Sequence, residues 1–483
     1  MEFKQEPYPH QLEIFDETKA RESHAIFWEM GCGKTKTALD IAAWQYLEGH
    51  IDTLLVVAPR GVHRNWITDE VPEHLSPDVD KHLAIWYQGS RMGGKKYSKE
   101  MSDALAFDGF LIVAVNYDAV ITKNGKAYCD QIMKQRKGVM VVLDESPRIK
   151  NPTAKRTKAV QKLGDRAVSR RILTGTPITN GPFDAYSQIR FLDAGFWPSR
   201  HFGTYGAFKN HYGIYNVQYL SDGKRFNALV GYRNVDSLYD ILSPISDRRT
   251  KETVLNLPPK IYTKRYIELT KEQKRMYAEL REHAITFLGS GEMVTAQIVL
   301  VELLRLQQII SGFVKTEMEQ EIRDIEGGNP RIDGVVEVLE ECAPRQTIIW
   351  ARFKHDIDLI SERLTKEGIT HVTYDGRTSD NDRAHAIADF RSGKARVFLA
   401  NPAAAGEGLT LIEATVVLNY SHSFKLAERL QSEDRCHRIG QDKAVLYVDF
   451  ISPDTIDEKI VGALRLKMNI ASMINGDTYR EWI

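Results

Sequence analysis

The chain has only four cysteines in 483 residues, and they are widely separated: Cys32, Cys129, Cys342 and Cys436. None forms a CxxC pair, and no histidine lies at a spacing suited to zinc. This pattern excludes a disulfide framework and a cysteine–histidine zinc module. We expect reduced thiols in an intracellular protein.

Long apolar runs and an excess of one charge are also missing. No stretch approaches the roughly 18 apolar residues that span a bilayer, and the charged start MEFKQEPYPHQ lacks a signal-peptide core. The sequence therefore predicts a soluble, cytoplasmic protein without membrane contact. Because 65 Lys and Arg residues balance 65 Asp and Glu residues, a polyanionic partner would have to be held by a local patch.

Short apolar runs that alternate with amphipathic helical stretches dominate the chain. This alternation is typical of parallel sheets with crossover helices, and runs rich in Val, Ile and Leu indicate strands covered on both faces. The predicted strands are 25–28, 53–59, 110–117, 139–145 and 171–176 in the first half, and 347–352, 371–374, 396–402, 415–420 and 444–451 in the second. The sequence predicts an α/β fold with two parallel-sheet lobes in tandem and helical insertions.

The domain boundaries follow from the proline-containing seam NLPPKIY at 256–262, where regular structure is interrupted. We expect a first lobe at 1–257, with a helical and aromatic segment at 196–250. A helical linker at 258–330 and a second lobe at 331–483 would follow.

The string WEMGCGKT (28–35) lies between a predicted strand and an amphipathic helix, as a phosphate-binding loop requires. The backbone around Gly31 and Gly33 and the helix N-terminus would face the phosphates, Lys34 would neutralise them, and Thr35 would bind Mg²⁺. Trp28 replaces the first glycine of the motif, so this string alone leaves an ordinary glycine turn open.

Two acids, Asp144 and Glu145, end the predicted strand in VVLDESPRIKN (141–151). The ends of strands in open parallel sheets are where ligand groups lie. Asp144 could hold the shell of Mg²⁺, and Glu145 could orient and deprotonate an attacking water. The alternative is a strand capped by solvated acids, but the upstream Lys34 favours a nucleotide site.

Together these strings resemble the motifs of Swi/Snf-type ATPases of helicase superfamily two, in a compact bacterial or phage form. The matching strings are PYPHQ (7–11), APRGVHRNWITDEV (58–71), DESPRIKN (144–151), LTGTPITN (173–180), AAAGEGLTL (403–411) and QSEDRCHRIGQ (431–441). The last string is the most specific. The resemblance implies two RecA-like lobes, ATP and Mg²⁺ as ligands, and a C-terminal brace helix.

The resemblance also assigns residues to ATP: Gln11, Gly408 and Asp434 for binding, and Gln431, Arg435 and Arg438 for catalysis. The two arginines would share one face if their segment is helical. An arginine from a second module can stabilise charge on the transferred phosphoryl group. ATP hydrolysed in a cleft between the lobes would close and open them, and so move bound DNA.

Candidate DNA contacts come from two strings and a basic segment. They are Arg60, Asn65, Trp66, Arg148, Lys150 and Arg156. Residues 148–171 contain nine basic residues and one acid, Asp165. A solvated helix surface is the usual explanation of such a run, but its position next to the predicted acids slightly favours phosphate contacts. The aromatic residues of 196–233 could stack on bases, but packing against the first lobe is the favoured interpretation.

Pro147 stands where this family usually has histidine. Proline has neither a side-chain donor nor a backbone N–H, so we expect coupling of hydrolysis to DNA to run through Thr174, Thr176 and QSEDRCHRIGQ. The sequence thus predicts a DNA-dependent ATPase that translocates on duplex or branched DNA and is compatible with a monomer. Two alternatives stay open: a strand-separating DNA or RNA helicase, and a nucleotide-switched DNA-binding module with little turnover.

Overall fold

The computed structural model of the protein describes residues 1–86, 95–219, 225–255, 257–289, 296–315, 321–404 and 409–477. The chain divides into two compact units. The first unit comprises Met1–Ile214, Tyr232–Asn256 and Ile470–Thr478, and the second comprises Tyr215–Gly231 and Leu257–Asn469. Gly408, which the sequence assigned to ATP, lies outside the described residues.

The strands are β1 (Ser23–Trp28), β2 (Thr53–Ala58), β3 (Lys81–Ile85), β4 (Phe110–Asn116), β5 (Val139–Asp144), β6 (Ser169–Leu173), β7 (Gly213–Tyr219), β8 (Arg225–Tyr232), β9 (Ser246–Arg249), β10 (Lys260–Tyr266), β11 (Phe313–Lys315), β12 (Ile322–Asp324), β13 (Thr347–Trp350), β14 (His371–Tyr374), β15 (Val397–Ala400), β16 (Val416–Asn419) and β17 (Val445–Ile451).

The α-helices are α1 (Pro9–Thr18), α2 (Lys34–Leu47), α3 (Val62–Asn65), α4 (Val71–His74), α5 (Lys95–Ala106), α6 (Lys123–Gln135), α7 (Lys155–Gly164), α8 (Ala185–Leu192), α9 (Tyr205–Tyr212), α10 (Val235–Leu242), α11 (Lys251–Val254), α12 (Lys271–Gly289), α13 (Ala296–Ile310), α14 (Pro330–Glu341), α15 (Lys354–Lys366), α16 (Asp380–Arg391), α17 (Leu426–Glu433) and α18 (Ile456–Asn475).

The first unit is built on a seven-stranded sheet with the order β3-β4-β2-β5-β6-β1-β9. Every neighbouring pair is parallel. The inner strands β2, β4 and β5 are almost entirely apolar, and their side chains are buried on both faces of the sheet in two hydrophobic clusters. Burial on both faces is what a parallel sheet covered by helices requires.

The second unit contains a six-stranded parallel sheet with the order β10-β17-β16-β13-β15-β14. Its central strands β13 and β16 are fully buried. Helices α14 and α15 contribute to one of its cores, and α12, α13 and α18 contribute to another. The predicted fold class of two tandem α/β lobes is therefore confirmed.

Within these two sheets the sequence did not predict β3, β9 and β10, and all three lie at the edges. An edge strand has a partner on one side only and is more solvated, so its composition is less apolar. The sequences KHLAI, SDRR and KIYTKRY show this. Among the described residues, no helix has both the length and the apolar character to cross a membrane.

The aromatic segment divides into two parts with different surroundings. Trp197, Phe208 and Tyr212 are fully buried in a core of the first unit, as the packing interpretation predicted. Beyond α9, however, the chain forms a hairpin of β7 and β8, which the sequence did not predict. Most side chains of this hairpin are exposed.

Candidate functional site

Three neighbouring strands, β5, β6 and β1, carry the predicted nucleotide-site strings at their carboxyl ends. Asp144 ends β5, Thr174 follows β6, and Trp28 ends β1 directly before the glycine loop. Because parallel strands end at the same edge of a sheet, this order gathers the three strings at one place.

The loop between β1 and α2 has the backbone of a phosphate-binding loop. Gly31 and Gly33 have φ angles of 85° and 82°, in the left-handed region that favours glycine. Helix α2 begins at Lys34, whose Nζ donates to the carbonyl oxygens of Trp28 (2.9 Å) and Glu29 (3.1 Å). A charged phosphate is a stronger acceptor than a neutral carbonyl, so these donors fit a nucleotide.

Gln11 packs on this loop from α1. It is 2% exposed; its Oε1 accepts from the Tyr8 N–H (2.9 Å) and its Nε2 donates to the Gly33 carbonyl (3.5 Å). A Cβ atom at position 33 would lie 1.8 Å from Gln11 Nε2, so the contact itself requires glycine. The structure thus brings together two residues predicted to bind ATP.

Asp144 is held by the indole of Trp66, whose Nε1 donates to Asp144 Oδ2 (2.9 Å), and by the Glu145 N–H, which donates to Oδ1 (3.0 Å). Burial raises the pKa of Asp144, while the hydrogen bond from Trp66 and the positive charge of Lys34 partly oppose that rise. Trp66 is 1% exposed. Its side chain therefore positions an acid in the first unit and does not lie on a DNA-accessible surface, where the sequence placed it.

Glu145 has a left-handed backbone, with φ 52° and ψ 57°, which is uncommon for a residue other than glycine. Its carboxylate accepts a hydrogen bond from Thr174 Oγ1 to Oε2 (3.0 Å), and the same hydroxyl accepts from the Thr176 N–H (3.1 Å). The predicted water-activating acid is thus in direct contact with Thr174, and Thr176 is connected to it through the Thr174 hydroxyl.

Arg248 on β9 adds a connection that the sequence did not predict. Its Nη1 donates to the carbonyl oxygens of Phe27 (2.7 Å) and Gly175 (3.2 Å). Its Nε and Nη2 donate to the two carboxylate oxygens of Asp477 at 2.9 and 2.8 Å. One guanidinium therefore contacts the strand before the glycine loop, the LTGTPITN loop and the segment after α18.

The remaining DNA candidates of the first unit differ in exposure. Arg60, Asn65 and Arg148 are exposed, and Arg156 is half-buried. Lys150 donates to Thr179 Oγ1 (2.8 Å) and is half-buried.

The basic segment is less uniform than its composition indicates. Arg171 is 0% exposed and donates to the carbonyl oxygens of Thr18 and Arg21, and Arg166 pairs with Asp130 at 2.8 Å. These two arginines carry structural contacts. The charge available for phosphates is therefore smaller than the sequence count.

In the second unit, α17 ends at Glu433, so Arg435 and Arg438 do not lie on a helical face. Gln431 is in α17, and Asp434 follows its end. Arg435 is 2% exposed and donates to the Leu409 carbonyl (3.4 Å). Arg438 donates to Thr410 Oγ1 (2.7 Å), so both arginines contact the end of the AAAGEGLTL string.

A cavity of about 210 Å³ lies at the carboxyl edge of the second sheet. It is lined by Arg352, Asn401, Asn419 and Trp350. Asn419 Nδ2 and Trp350 Nε1 are buried donors without a hydrogen-bond partner in the described part of the chain. Buried donors without partners lower the stability of the fold, so this cavity suits a ligand rich in hydrogen-bond acceptors. The sequence analysis did not predict this cavity.

A cluster of three or more His, Cys, Asp or Glu side chains that could hold a metal is absent from the described residues. Mg²⁺ does not require such a cage, because it commonly uses one or two carboxylates together with waters and substrate phosphates. The sequence analysis assigned Asp144 and Thr35 as its ligands from this chain.

Comparisons with known proteins agree with the motifs. The SNF2-related domain matches residues 16–312, and the helicase conserved C-terminal domain matches residues 331–440. An uncharacterized ATP-dependent helicase of Mycoplasma genitalium is 31% identical over 437 residues, covering 89% of this chain and 38% of the relative. The human SWI/SNF-related matrix-associated actin-dependent regulator of chromatin subfamily A member 1 is 25% identical, covering 92% of this chain and 41% of the relative.

A solved structure, the Sulfolobus solfataricus SWI2/SNF2 ATPase core in complex with dsDNA, is 24% identical with a TM-score of 0.42, and the match covers 98% of this chain and 94% of that one. The chain spans about two-fifths of the length of the two curated relatives. Since the SNF2-related domain alone covers more than half of the chain, the resemblance drawn from the motifs is confirmed, and the chain belongs to the SNF2-related family.

Proposed function

We propose that the chain is a DNA-stimulated ATPase that translocates on duplex or branched DNA. The observation that carries this proposal is the gathering of Lys34, Asp144, Glu145 and Thr174 at one edge of the first sheet. Lys34 would supply a positive charge for the phosphates, and Asp144 would supply a metal ligand. Glu145 would be the base, and the Thr174 hydroxyl donates a hydrogen bond to it.

Each of these groups has a defined part in ATP hydrolysis. Lys34 and the amides of the glycine loop would bind the β- and γ-phosphates. Glu145, held by Thr174, would orient the attacking water and accept its proton. Mg²⁺, when bound by Asp144 and Thr35, would neutralise charge on the phosphate oxygens.

The resemblance assigns further roles to residues of the second unit. Arg435 and Arg438 are assigned to the charge that develops on the γ-phosphate, Gln431 is the third residue assigned to catalysis, and Asp434 and Gly408 are assigned to ATP binding. The cavity lined by Arg352 and Asn419 would take acceptor oxygens of the DNA backbone, which bind proteins without regard to sequence. The names of the relatives support ATP-dependent action, and the solved SWI2/SNF2 core was bound to dsDNA.

The proposal is tested by steady-state phosphate release with duplex, single-stranded, forked and RNA substrates at two salt concentrations. Duplex or forked DNA should raise the rate, and the stimulation should weaken at higher salt because phosphate contacts release counterions. Glu145→Gln should still bind ATP but no longer turn it over. Negligible turnover in the wild type would instead indicate a nucleotide-switched DNA-binding module.

A strand-displacement assay on tailed substrates separates the translocase from a strand-separating helicase. We expect ATP consumption on plain duplex without release of a strand. Efficient release of the displaced strand from DNA or RNA would replace translocation with helicase activity. Arg435→Ala and Arg438→Ala should each lower turnover, and unchanged turnover in both would remove them from catalysis.

A further inference from the structure

The hairpin of β7 and β8 exposes several large apolar side chains of a kind that proteins ordinarily bury. Tyr219 is 72% exposed, Val217 55%, Val230 52% and Phe226 43%. Tyr219 ends β7 and Phe226 is the second residue of β8, so the two rings lie near the same end of the hairpin. A concentrated apolar surface of this kind marks a site of interaction.

The same stretch of sequence shows that exposure is specific to the hairpin. Trp197, Phe208 and Tyr212, which precede it, are each 0% exposed. The aromatic residues of 196–233 therefore serve two purposes, because the earlier ones fill a core and the later ones face solvent. Packing does not account for Tyr219 and Phe226.

The charge around these rings favours a polyanion over a protein surface of mixed charge. The two strands contain one arginine, Arg225, and no acid. Over residues 196–233 there are five basic residues and a single acid. That acid, Asp222, lies in the sequence between Tyr219 and Phe226, where Lys224 and Arg225 outnumber it. Aromatic rings beside an excess of cations are the combination with which proteins hold unpaired nucleotides.

The residue at the end of β8, Tyr232, lies in the first unit and contacts the proposed coupling loop. Tyr232, the last residue of β8, donates from its hydroxyl to the Asn180 carbonyl (3.1 Å), and Asn180 ends the string LTGTPITN. The ring of Tyr232 also packs edge-on against Phe183, with 5.3 Å between centroids. Arg233 then fixes the strand to α9 by donating to the Asn210 carbonyl (2.6 Å).

We propose that the β7–β8 hairpin binds unpaired bases of DNA, with Tyr219 and Phe226 as stacking platforms and Arg225 as a phosphate contact. The inference rests on the proposed function and narrows its substrate to DNA that carries a single-stranded arm, such as a fork. Stacking is tolerant of sequence because every base presents a π-face. The hairpin would therefore select DNA structure and not base order.

The test compares three labelled DNAs in equilibrium binding by fluorescence anisotropy: a blunt duplex, the same duplex with a single-stranded arm, and that duplex with an abasic arm. Wild type should prefer the intact arm over the abasic arm by roughly five-fold or more, given the usual strength of base stacking. Tyr219→Ala/Phe226→Ala should lose this preference but keep duplex binding. Tyr219→Phe should retain it.

Asn216→Ala provides the matched control, because Asn216 is an exposed polar residue of the same strand. This variant should bind all three DNAs as the wild type does. The spectroscopic readout is Tyr219→Trp, whose fluorescence should be quenched by the intact arm and not by the abasic arm. Far-ultraviolet circular dichroism and a melting curve verify that each variant is folded.

Three results would overturn the inference. Equal affinity for intact and abasic arms would assign the binding to phosphates alone, and unchanged arm preference in the double alanine variant would remove the two rings. Self-association of the wild type that disappears in that variant would identify the hairpin as a contact between copies of the chain. A failure of the proposed function can be told apart from a failure of this inference. If the proposed function is wrong, DNA does not stimulate ATP turnover, but binding of the single-stranded arm can still be measured.

Discussion

Arg248 and Asp477 are 229 positions apart in sequence, yet they form a two-point ion pair with donor–acceptor distances of 2.9 and 2.8 Å. Their side chains are only 16% and 14% exposed. Burial lowers the pKa of Arg248, but the carboxylates of Asp477 and Glu29 outweigh that effect and raise it. The segment that follows α18 is thereby fixed to the edge strand beside the glycine loop.

We expect Asp477→Ala to lower the free energy of unfolding by roughly 3 kcal/mol, because it removes the two-point carboxylate partner of a largely buried guanidinium. Urea unfolding measures this difference. Asp165→Ala is the control, since Asp165 pairs with Arg190 at 2.6 Å but the two side chains are 40% and 27% exposed, and its loss should cost less than about 1 kcal/mol. Equal losses in the two variants would contradict the structural role of Asp477.

Trp66→Phe should weaken the use of Mg²⁺ by the ATPase. The variant keeps an aromatic ring in the core but removes the N–H that donates to Asp144. Loss of a group that orients a metal ligand commonly costs about ten-fold or more in metal affinity. The Mg²⁺ concentration for half-maximal phosphate release should rise accordingly.

Trp197→Phe makes the same chemical change elsewhere in the first unit, where the indole donates to the Tyr186 carbonyl (2.8 Å). Its Mg²⁺ dependence should match the wild type. A shift of equal size in both variants would show that Trp66 acts through general stability alone.

Thr174→Val should reduce the ratio of DNA-stimulated to basal ATPase rates. The substitution removes the hydroxyl that donates to Glu145 and accepts from the Thr176 N–H, and so disconnects the proposed water-activating acid from the LTGTPITN loop. Thr174→Ser keeps the hydroxyl and should keep most of the ratio. An unchanged ratio in Thr174→Val would refute this route of coupling.

Pro147→His tests the other possible route. If coupling runs through Thr174, restoring the histidine usual in the family should change the stimulation ratio little. Pro147 lies in a short 3₁₀ turn, and its carbonyl accepts from the Lys150 N–H (3.1 Å), so the variant retains this backbone bond. A several-fold rise in DNA stimulation would show that proline limits coupling in the wild type.

Asp356→Asn should stabilise the protein at neutral and mildly alkaline pH. Burial raises the pKa of Asp356 from 3.8 to about 8, although Arg331 and a hydrogen bond from Ser311 oppose the rise. Between these two values the unfolded chain ionises and the folded chain does not, so the acid destabilises the fold progressively as pH rises. Each pH unit in this window adds up to about 1.4 kcal/mol.

The difference between Asp356→Asn and wild type should therefore grow from pH 4 to pH 8 in denaturant unfolding. Glu433→Gln should behave in the opposite sense. Burial would raise the pKa of Glu433, but Lys260 and Arg429 lower it from 4.5 to about 2. Its ionised form thus stabilises the fold above pH 4.5, and that contribution is lost as pH falls toward 2. A pH-independent effect of both variants would contradict these assignments.

The sequence predicted the buried strands of both sheets because parallel strands covered on two faces must be continuously apolar. It did not predict β9, whose sequence Ser-Asp-Arg-Arg resembles a loop. The acids and the glycine loop were recognisable because their chemistry restricts the residue type. Trp66 was not recognisable as their partner, since a tryptophan 78 positions from Asp144 has the pattern of any core aromatic residue.

The arginines of QSEDRCHRIGQ illustrate a second limit. Their spacing of three suggested a shared helical face, but α17 ends before them and their contacts with Leu409 and Thr410 depend on where the chain returns. Such contacts arise from tertiary structure, and local periodicity contains no information about them.

The left-handed backbone of Glu145 sets stability and catalysis against each other at a single position. Glycine adopts that conformation at no steric cost, whereas a glutamate held there stores on the order of 1 kcal/mol or more of strain. Selection for a more stable fold would therefore favour glycine or asparagine at this position, and under the proposed function either residue would remove the base. Where ATP hydrolysis is required, glutamate would be kept at position 145 although it makes the folded state less stable.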